Sequence, residues 1–386
     1  MTMQIPSIRV LSPALELLGE FDAYTSLQFS RLWQGVGDFE FHLFGELDER
    51  VLAQGNLVLL DADGTRAGII RSVEQDDGEG GVTVTVRGQT LNGLAGQRTT
   101  LPLEGEANGG YDVVPALESA GQTPDPVPAE TILKTYAGRH LANPLDPKRK
   151  IPLLVLAPDQ GRGMETVWMS RFEPLDEVLQ AVGEYTDMGW GIHLDPDGGN
   201  LVFDVLPGVD RTDQQSENSA VVFALEFESV ESLKYLRDVS GHRNLAYAGG
   251  AGEGADRTVL KVTNNAEEPE GLERFETFID CGTLEIVGSD TAMSLEEEGK
   301  HKLLDYPRTE SLTATLPQGG SFQYRRHWDL GDLVTVLDRN LGVAADMRIA
   351  QVTERYEAGS YGVDITFGEA PKHLGRVIRS LKNTVR

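Results

Sequence analysis

The segment Val82-Thr83-Val84-Thr85-Val86-Arg87 alternates valine with a polar residue along its whole length. Successive side chains of a β-strand point to opposite faces of a sheet, so this alternation predicts a strand with one buried and one polar face. The preceding residues, Asp76-Asp77-Gly78-Glu79-Gly80-Gly81, combine acidic residues with glycine, which is typical of a hairpin tip. Val73-Glu74-Gln75 leads into that tip, and together these residues predict one antiparallel hairpin.

Further strand patterns precede this hairpin, and turn residues separate them. The predicted strands cover residues 8–11, 24–33, 39–44, 56–60 and 66–71. Gly35-Val36-Gly37-Asp38 and Asp61-Ala62-Asp63-Gly64 are typical turns, and Gly88–Leu94 is a short turn or helix. Short strands joined by tight turns predict a closed or nearly closed antiparallel barrel over residues 1–100, because closure removes exposed sheet edges.

The composition supports a folded, β-rich chain with an acidic surface. Forty-three of the 386 residues are glycine, while hydrophobic residues make up 40% and charged residues 25%. These values are typical of a globular protein with many turns. Sixty-one acidic residues against 34 basic ones give a net charge of -27. Such a field repels phosphate and anionic lipid, which excludes a general DNA-binding protein and a polybasic membrane protein.

Cysteine content and hydropathy restrict the cellular compartment in which the protein is expected to be made. Cys281 is the single cysteine, so no intrachain disulfide and no cysteine-based zinc site can form. It follows Ile279-Asp280 at a predicted strand end, which favours a small semi-buried residue over a nucleophile. The N-terminus lacks the basic and apolar regions of a signal peptide, and no apolar run reaches the roughly 18–20 residues that span a bilayer. We therefore expect synthesis in the cytoplasm without a Sec signal or membrane segment.

Residues 101–222 differ from the first hundred and predict a peripheral α/β domain. Seven prolines fall between Pro102 and Pro147, which indicates connecting chain. Apolar residues at helical spacing predict helices over 129–141 and 174–186. A hairpin is predicted from residues 189–194 and 200–205 around an Asp-Pro-Asp-Gly-Gly turn.

Residues 223–386 return to strand patterns and predict a second barrel domain. The predicted strands begin with residues 221–227, 232–239, 242–248, 258–263 and 274–280, and the final run is 310–316, 333–338, 345–357 and 361–367. A helical insertion is expected near 290–305, where the Glu/Lys pattern of residues 295–304 is amphipathic. The tail Leu374–Arg386 is basic and predicts a short helix, either solvated or docked. The fold class is thus mostly β with α+β insertions.

Motifs for catalysis or cofactor binding are missing. The seven histidines stand singly, at 42, 140, 193, 242, 301, 327 and 373, without metal-site spacing. Gly250-Ala-Gly-Glu-Gly254 has the wrong spacing for a nucleotide loop and is better explained as a hairpin tip. The turns at Asp61–Gly64 and Asp195–Gly198 resemble the start of a calcium loop but lack its acidic twelfth residue. We therefore assign no catalytic, cofactor-binding or metal-binding residue, and no cofactor, from the sequence.

Short motifs at both ends of the chain carry a resemblance. His327-Trp328-Asp329-Leu330-Gly331-Asp332-Leu333-Val334-Thr335-Val336 is followed by Ala345–Glu354 and then by Gly362–Gly368. In this order they resemble the end of siphophage tail-tip hub proteins, or N-terminal tail-associated proteins, which are similar in fold to the myophage baseplate hub. Phe29–Phe44, Gly68–Arg71 and Val84–Gly88 resemble that family's first barrel.

The resemblance implies a homotrimer in which two tube-type barrels per chain continue the hexameric tail tube. It implies a structural protein of the virion tail tip, and not an enzyme. The implied partners are a distal tail ring protein, the tape measure protein and a spike or receptor-binding protein. Genomic DNA would pass through the lumen without specific binding, which suits an acidic chain. Because little sequence follows Phe367, we expect no hydrolase or receptor-binding extension.

The alternative is a carbohydrate-binding or glycan-hydrolysing β protein. That function needs an aromatic platform or a carboxylate pair in a groove. The four tryptophans are dispersed, at 33, 168, 190 and 328, and are more typical of core or interface residues. A cytoplasmic enzyme is less favoured still, since no nucleophile, phosphate or metal motif is present.

Overall fold

A computed structural model describes residues 5–78, 81–103, 110–116, 124–281, 295–317, 320–338, 343–357 and 360–368. The fold is mostly β, as predicted, with one large, almost entirely antiparallel sheet. Three α-helices are present in the described part of the chain: α1 Ala129–Ala137, α2 Leu175–Thr186 and α3 Leu295–Leu303. No helix of the described residues is both long and apolar enough to cross a bilayer.

Strands of the first hundred residues pair with neighbours in antiparallel fashion. They are β1 Ile8–Leu11, β2 Leu17–Phe21, β3 Ser26–Leu32, β4 Asp38–Phe44, β5 Leu57–Leu60, β6 Ala67–Gly78 and β7 Gly81–Thr90. The predicted β6–β7 hairpin is confirmed. Strand β2 was not predicted, because its side chains are all exposed or half-buried and give no alternation.

The middle of the chain packs two helices on a hairpin. Its strands are β8 Asp112–Val114, β9 Val127–Pro128, β10 Leu154–Leu156, β11 Glu165–Thr166, β12 Trp168–Ser170, β13 Gly189–Asp195, β14 Asn200–Leu206, β15 Asp210–Arg211 and β16 Val222–Ala224. Helix α2 buries Leu175, Val178, Leu179 and Val182, the stripe that the sequence predicted. Helix α1 ends earlier than predicted, because a π-helical turn replaces it over Gly138–Ala142.

The last third contains the remaining strands and the predicted helical insertion α3. The strands are β17 Ser232–Asp238, β18 Leu245–Gly249, β19 Val259–Val262, β20 Glu276–Asp280, β21 Thr309–Thr315, β22 Leu333–Asp338, β23 Val343–Glu357 and β24 Ser360–Gly368. Strands β18, β19 and β20 form a separate sheet that α3 covers. The predicted basic helix 374–386 lies outside the described residues.

One 14-stranded sheet joins both ends of the chain. Its order is β17-β21-β24-β23-β3-β4-β7-β6-β5-β1-β2, and β22 pairs β23, β15 and β16 beside that path. The two halves meet where β23 pairs β3, with Gln351 opposite Leu32 and Glu357 opposite Ser26. No closed barrel is formed by the described strands, so the two predicted barrels stay a prediction. The domain boundaries at residues 100 and 222 also stay a prediction.

The two halves contain the same three-strand unit. In each, a short strand pairs with the first residues of a long strand, and the long strand continues past it and pairs with the strand that follows: β5–β6–β7 and β22–β23–β24. Each long strand has a β-bulge, between Ile70 and Ser72 in β6 and between Ile349 and Gln351 in β23. A bulge bends its strand and increases the twist. The pairing of β23 with β22 ends at Arg348, just before the bulge, whereas β6 pairs with β7 on both sides of its bulge.

Separate hydrophobic clusters lie behind the two halves of the sheet. One cluster contains Phe29, Phe39 and Phe41, and the other contains Phe223 and Phe367. A third and larger cluster joins α1 and α2 to the hairpin β13–β14, and a fourth lies between α3 and its sheet. Two of these clusters cover one face of the sheet from β17 to β6, whereas β5 and the start of β6 are buried on both faces, because Leu57 and Ile69 belong to the third cluster.

Candidate functional site

A continuous polar face runs across eight strands of the sheet, from β17 to β6. Residues opposite one another in register share a face, and the pairings carry this face through both halves of the chain. We call it the polar face. Its described members are Ser232, Lys234, Leu236 and Asp238; Thr313 and Thr315; Ser360, Gly362, Asp364, Thr366 and Gly368; Gln351, Thr353, Arg355 and Glu357; Ser26, Gln28, Ser30 and Leu32; Asp38, Glu40, His42 and Phe44; Gly81, Thr83, Thr85, Arg87 and Gln89; and Ser72, Glu74, Asp76 and Gly78.

Hydroxyl and carboxylate groups dominate the polar face. Its seven acidic residues are Asp38, Glu40, Glu74, Asp76, Asp238, Glu357 and Asp364, and its three cationic residues are Arg87, Lys234 and Arg355. The large apolar members lie at strand ends or on the edge strand β17. The face is therefore hydrophilic and net negative.

Carboxylates hold the two arginines of the polar face. Arg87 Nε lies 2.6 Å from Glu40 Oε2, and Arg87 Nη1 lies 3.0 Å from Glu74 Oε2. Hydrogen bonds from Arg87 lower the pKa of Glu40, so the carboxylate stays charged. Arg355 forms an ion pair with Asp364 on the neighbouring strand. A phosphate approaching this face meets arginines that carboxylates already neutralise, so it gains little from contact with them.

A cluster of buried charges lies on the opposite side of the sheet, beneath the junction of β23 and β3. Arg66 Nη1 lies 3.3 Å from Glu354 Oε2, and its Nε lies 3.1 Å from Asp63 Oδ2. Tyr356 donates to Glu354 Oε2 at 2.5 Å. Burial and the Glu354 charge raise the pKa of Tyr356, so the phenol keeps its proton. These contacts connect the turn before β6 to β23.

A second set of contacts extends this buried cluster. Arg31 on β3 binds Asp329 Oδ1 at 2.6 Å and also donates to the Tyr324 hydroxyl. Arg325 forms an ion pair with Asp63. The loop before β22 therefore binds residues of the first half as well.

The turns that resemble calcium loops use their carboxylates internally. Asp61 and Asp63 bind Arg66, and Asp63 also accepts from the Thr65 backbone N–H. Asp195 Oδ1 accepts from the backbone N–H groups of Asp197 and Gly198. No group of three or more potential metal ligands occurs within the ranges that the structure describes.

The other residues that the sequence singled out are buried or lie in turns. All four tryptophans are at most 5% exposed, which confirms that they are core residues: Trp33, Trp168, Trp190 and Trp328. Cys281 is fully buried, and burial raises the pKa of its thiol to about 11. The glycines of Gly250–Gly254 connect the antiparallel strands β18 and β19, as the hairpin prediction required.

Two buried ion clusters in the middle of the chain stabilise the fold. Glu130 binds Lys134 and Arg162, while Asp112 binds Arg139 and lies 2.6 Å from His140 Nε2. Glu130, Asp112 and His140 are each at most 2% exposed. These three side chains therefore lie beneath the surface of the protein.

Sequence reasoning recognised the polar side of β7, with Thr83, Thr85 and Arg87, but assigned no residue of the polar face to a site. The signal was available in β7, β21 and β24, where threonine, aspartate or arginine alternates with apolar residues. Alternation within one strand shows that a polar side exists, but only the strand register shows that all these sides form one surface.

Known structures resemble this fold over nearly its whole length. A tail protein from Neisseria meningitidis MC58 has a TM-score of 0.53 and 17% identity, over 94% of this chain and 96% of that chain. The 43 kDa tail protein of prophage MuSo2 from Shewanella oneidensis has a TM-score of 0.51 and 13% identity, over 94% and 98%. No curated protein sequence matches the chain. Residues 7–369 match the siphovirus ReqiPepy6 Gp37-like protein family, and the chain belongs to that family.

Proposed function

We propose that this protein is the structural hub of a phage tail tip or baseplate, or of a related tail-like injection system. Three copies form a ring that continues the tail tube and adapts it to the receptor-binding apparatus. Membership of a siphovirus protein family and the fold shared with tail proteins support a structural role in the tail. Residues 1–100 and 223–386 supply the two tube-type domains, and residues 101–222 form the peripheral α/β domain.

The observation that carries this proposal is the continuous polar face. A conduit for DNA needs a wall that neither binds phosphate tightly nor presents apolar surface. The polar face combines hydroxyl groups, an excess of carboxylates and arginines that carboxylates neutralise. We infer that it lines the lumen and that genomic DNA slides past it.

The repeated strand unit supports a ring with six similar segments. Each chain contributes two units joined in one sheet, so three chains contribute six. A tube of six-fold symmetry can therefore continue into a ring of three chains. The buried charges beneath the β23–β3 junction would hold the two units of each chain in a fixed relation.

We propose no catalytic function. The acid–histidine pair Asp112–His140 is buried, and the thiol of Cys281 is protonated and enclosed. The proposed partners are a distal tail ring protein on one side and a spike or receptor-binding protein on the other, with the tape measure protein in the lumen. Its place would be the tail tip of the virion.

The absolute mass of the full chain in solution tests this proposal. Light scattering should give about three times 42.1 kDa, and the mass should hold on dilution. Electron microscopy of the same sample should show rings. A mass of one chain at every concentration, or binding to a panel of glycans, would contradict the hub and favour the carbohydrate-binding alternative.

A further inference from the structure

A cavity of about 390 Å³ lies where the middle of the chain meets the helical insertion. One wall comes from β12 and the residues that follow it, the second from α2, and the third from α3 and the turn after it. No residue of the polar face lines this cavity. A volume of this size is typical of a site for a small molecule or a single long side chain.

Two residues that line the cavity carry buried oxygens that can accept a hydrogen bond and receive none from the described residues. Glu298 uses Oε1 for an ion pair with Lys302, 2.8 Å away, whereas its Oε2 has no partner. Ser170 is 2% exposed, and no group donates to its Oγ. A buried acceptor without a donor is costly, and more so when it is charged. Both oxygens therefore favour a ligand that donates hydrogen bonds.

The charges around the cavity favour a cation. Four carboxylates line it, and only Arg171 and Lys302 oppose them with a fixed positive charge. Burial lowers the pKa of His301, so its imidazole is neutral at pH 7. The four carboxylates belong to Glu173, Glu177, Glu298 and Asp305. Two negative charges are thus left over when all four are ionised.

Aromatic and apolar side chains form the remainder of the wall. Trp168 and Val178 are 5% and 3% exposed, so an alkyl chain in the cavity can pack against surfaces that bulk water does not reach. The Arg171 guanidinium lies 5.6 Å from the ring centroid of Tyr111 and 5.5 Å from that of Phe172. One cation is therefore already accommodated on aromatic faces at this site.

We propose that this cavity binds a primary alkylammonium group, supplied either by a free amine or by a lysine side chain of another protein. An ammonium donates three hydrogen bonds. Glu298 Oε2 and Ser170 Oγ would accept two of them, and the exposed carboxylate of Glu173 would accept the third at the rim. The alkyl chain would pack against Trp168 and Val178. This site does not depend on the proposed ring.

The Glu173 carboxyl makes binding dependent on pH. Partial loss of hydration raises the pKa of Glu173 to about 7, and the Asp305 charge adds to this effect, although the Lys302 charge acts against it. The charged or titratable groups around it are Arg171 on its own segment, Glu177 on α2, and Glu298, His301, Lys302 and Asp305 on or just after α3. A bound ammonium favours the ionised carboxylate, so its affinity should fall as the pH drops below about 7.

Calorimetric titration of the full chain with pentylammonium tests the site. Pentylammonium should bind, whereas pentanol, which has the same alkyl chain without the charge, should not. Glu298→Gln should weaken binding by about tenfold or more, because a charge-assisted hydrogen bond is lost. Glu296→Gln, at an exposed ion pair on the same helix, is the matched control and should bind like the unaltered protein.

A second variant keeps the test decisive if Glu298→Gln disturbs α3. Glu173 lies at the exposed rim, so Glu173→Gln should leave the fold intact and should remove the dependence of the affinity on pH around 7. The absence of pentylammonium binding, equal binding of pentanol, or an unchanged pH profile in Glu173→Gln would overturn the site.

Two further ligands distinguish the sources of the group. Cadaverine and Nα-acetyl-lysine N-methylamide present the same ammonium on an alkyl chain of similar length. Tighter binding of cadaverine would support the site and identify a free diamine as its ligand. Tighter binding of the lysine derivative would support the site and identify a lysine side chain of another protein.

Discussion

Strands β4 and β3, which follow β7 in the sheet, are joined by a turn at residues 33–37, whereas β21 and β17, which follow β24 in the sheet, are separated by residues 239–308. That long connection carries the sheet β18–β19–β20 and helix α3. The outer strands differ as well, since β5 pairs β1 in antiparallel fashion and β22 pairs β15 and β16 in parallel. Similar strand arrangements are therefore built in two ways: from local hairpins in the N-terminal half and from segments that are distant in sequence in the C-terminal half.

The largest expected losses of stability come from substitutions in the two hydrophobic clusters behind the halves of the sheet. Phe41 and Phe367 are both fully buried, the first against Phe39 and the second against Phe223. Replacing either with alanine should lower the free energy of unfolding by about 3–5 kcal/mol. Phe367→Ala should also reduce hydrogen-exchange protection in β16, which packs on it from a distant part of the chain.

Hydrogen exchange with denaturant unfolding checks this difference between the units. Phe41→Ala is the control, because its cluster does not include β16. If Phe41→Ala exposed β16 as strongly as Phe367→Ala does, the two units would share one core and the comparison would fail.

Acid should destabilise the helical middle of the chain, around α1, before it destabilises the two strand units. Burial alone would raise the pKa of Glu130, but hydrogen bonds from Arg162 and Lys134 outweigh it and lower the pKa to about 2, from 4.5. A lowered pKa gives stability that is present above pH 4.5 and is lost as the pH falls toward 2. The loss should reach about 3 kcal/mol.

Unfolding measured at several pH values, with Glu130→Gln as the variant, tests this expectation. The variant should be less stable at neutral pH and should show a flatter profile between pH 4.5 and about 2. Helix α1 should lose exchange protection first as the pH falls. An unchanged profile in the variant would show that other carboxylates control acid unfolding.

Equivalent glycines precede the short strand of each unit and should respond differently to alanine. Gly55 and Gly331 both have positive φ, 92° and 86°, so alanine strains either site. An added Cβ meets nothing within 4 Å at Gly55, but at Gly331 it lies 2.0 Å from the Trp33 ring. Gly331→Ala should therefore cost about 2 kcal/mol more than Gly55→Ala in denaturant unfolding. Equal losses would show that the loop before β22 shifts freely.

The smallest effects are expected on the polar face. Arg87 in the first half and Arg355 in the second have side chains that are each 45% exposed, and both bind carboxylates. Exposed ion pairs contribute little to stability, so Arg87→Gln and Arg355→Gln should leave the thermal unfolding temperature nearly unchanged. A clear fall in the unfolding temperature of either variant would mean that the polar face contributes to stability and is not simply the wall of a conduit.

Local patterns were sufficient to predict most elements. Strand β22 has the predicted bounds, and helices α2 and α3 lie where apolar spacing placed them. Strand β2 was missed because exposed residues on both faces give no alternation. The long connection between β17 and β21 concealed their pairing, which spans distant parts of the sequence.

Of the polar face, the sequence predicted only that it would be polar and acidic, and not which residues form it. The acidic composition was visible, but the polar face depends on the register among eight strands from both ends of the chain. The buried cluster beneath it joins Arg66 to Glu354, which lie 288 residues apart. Contacts at that separation follow from tertiary packing and leave no mark on local sequence.

Cryo-electron microscopy of the assembled protein tests the central claim most directly. The account predicts a three-fold ring with six strand units, in which Glu40, Arg87 and Arg355 face the lumen. A ring in which the polar face points outward would contradict it.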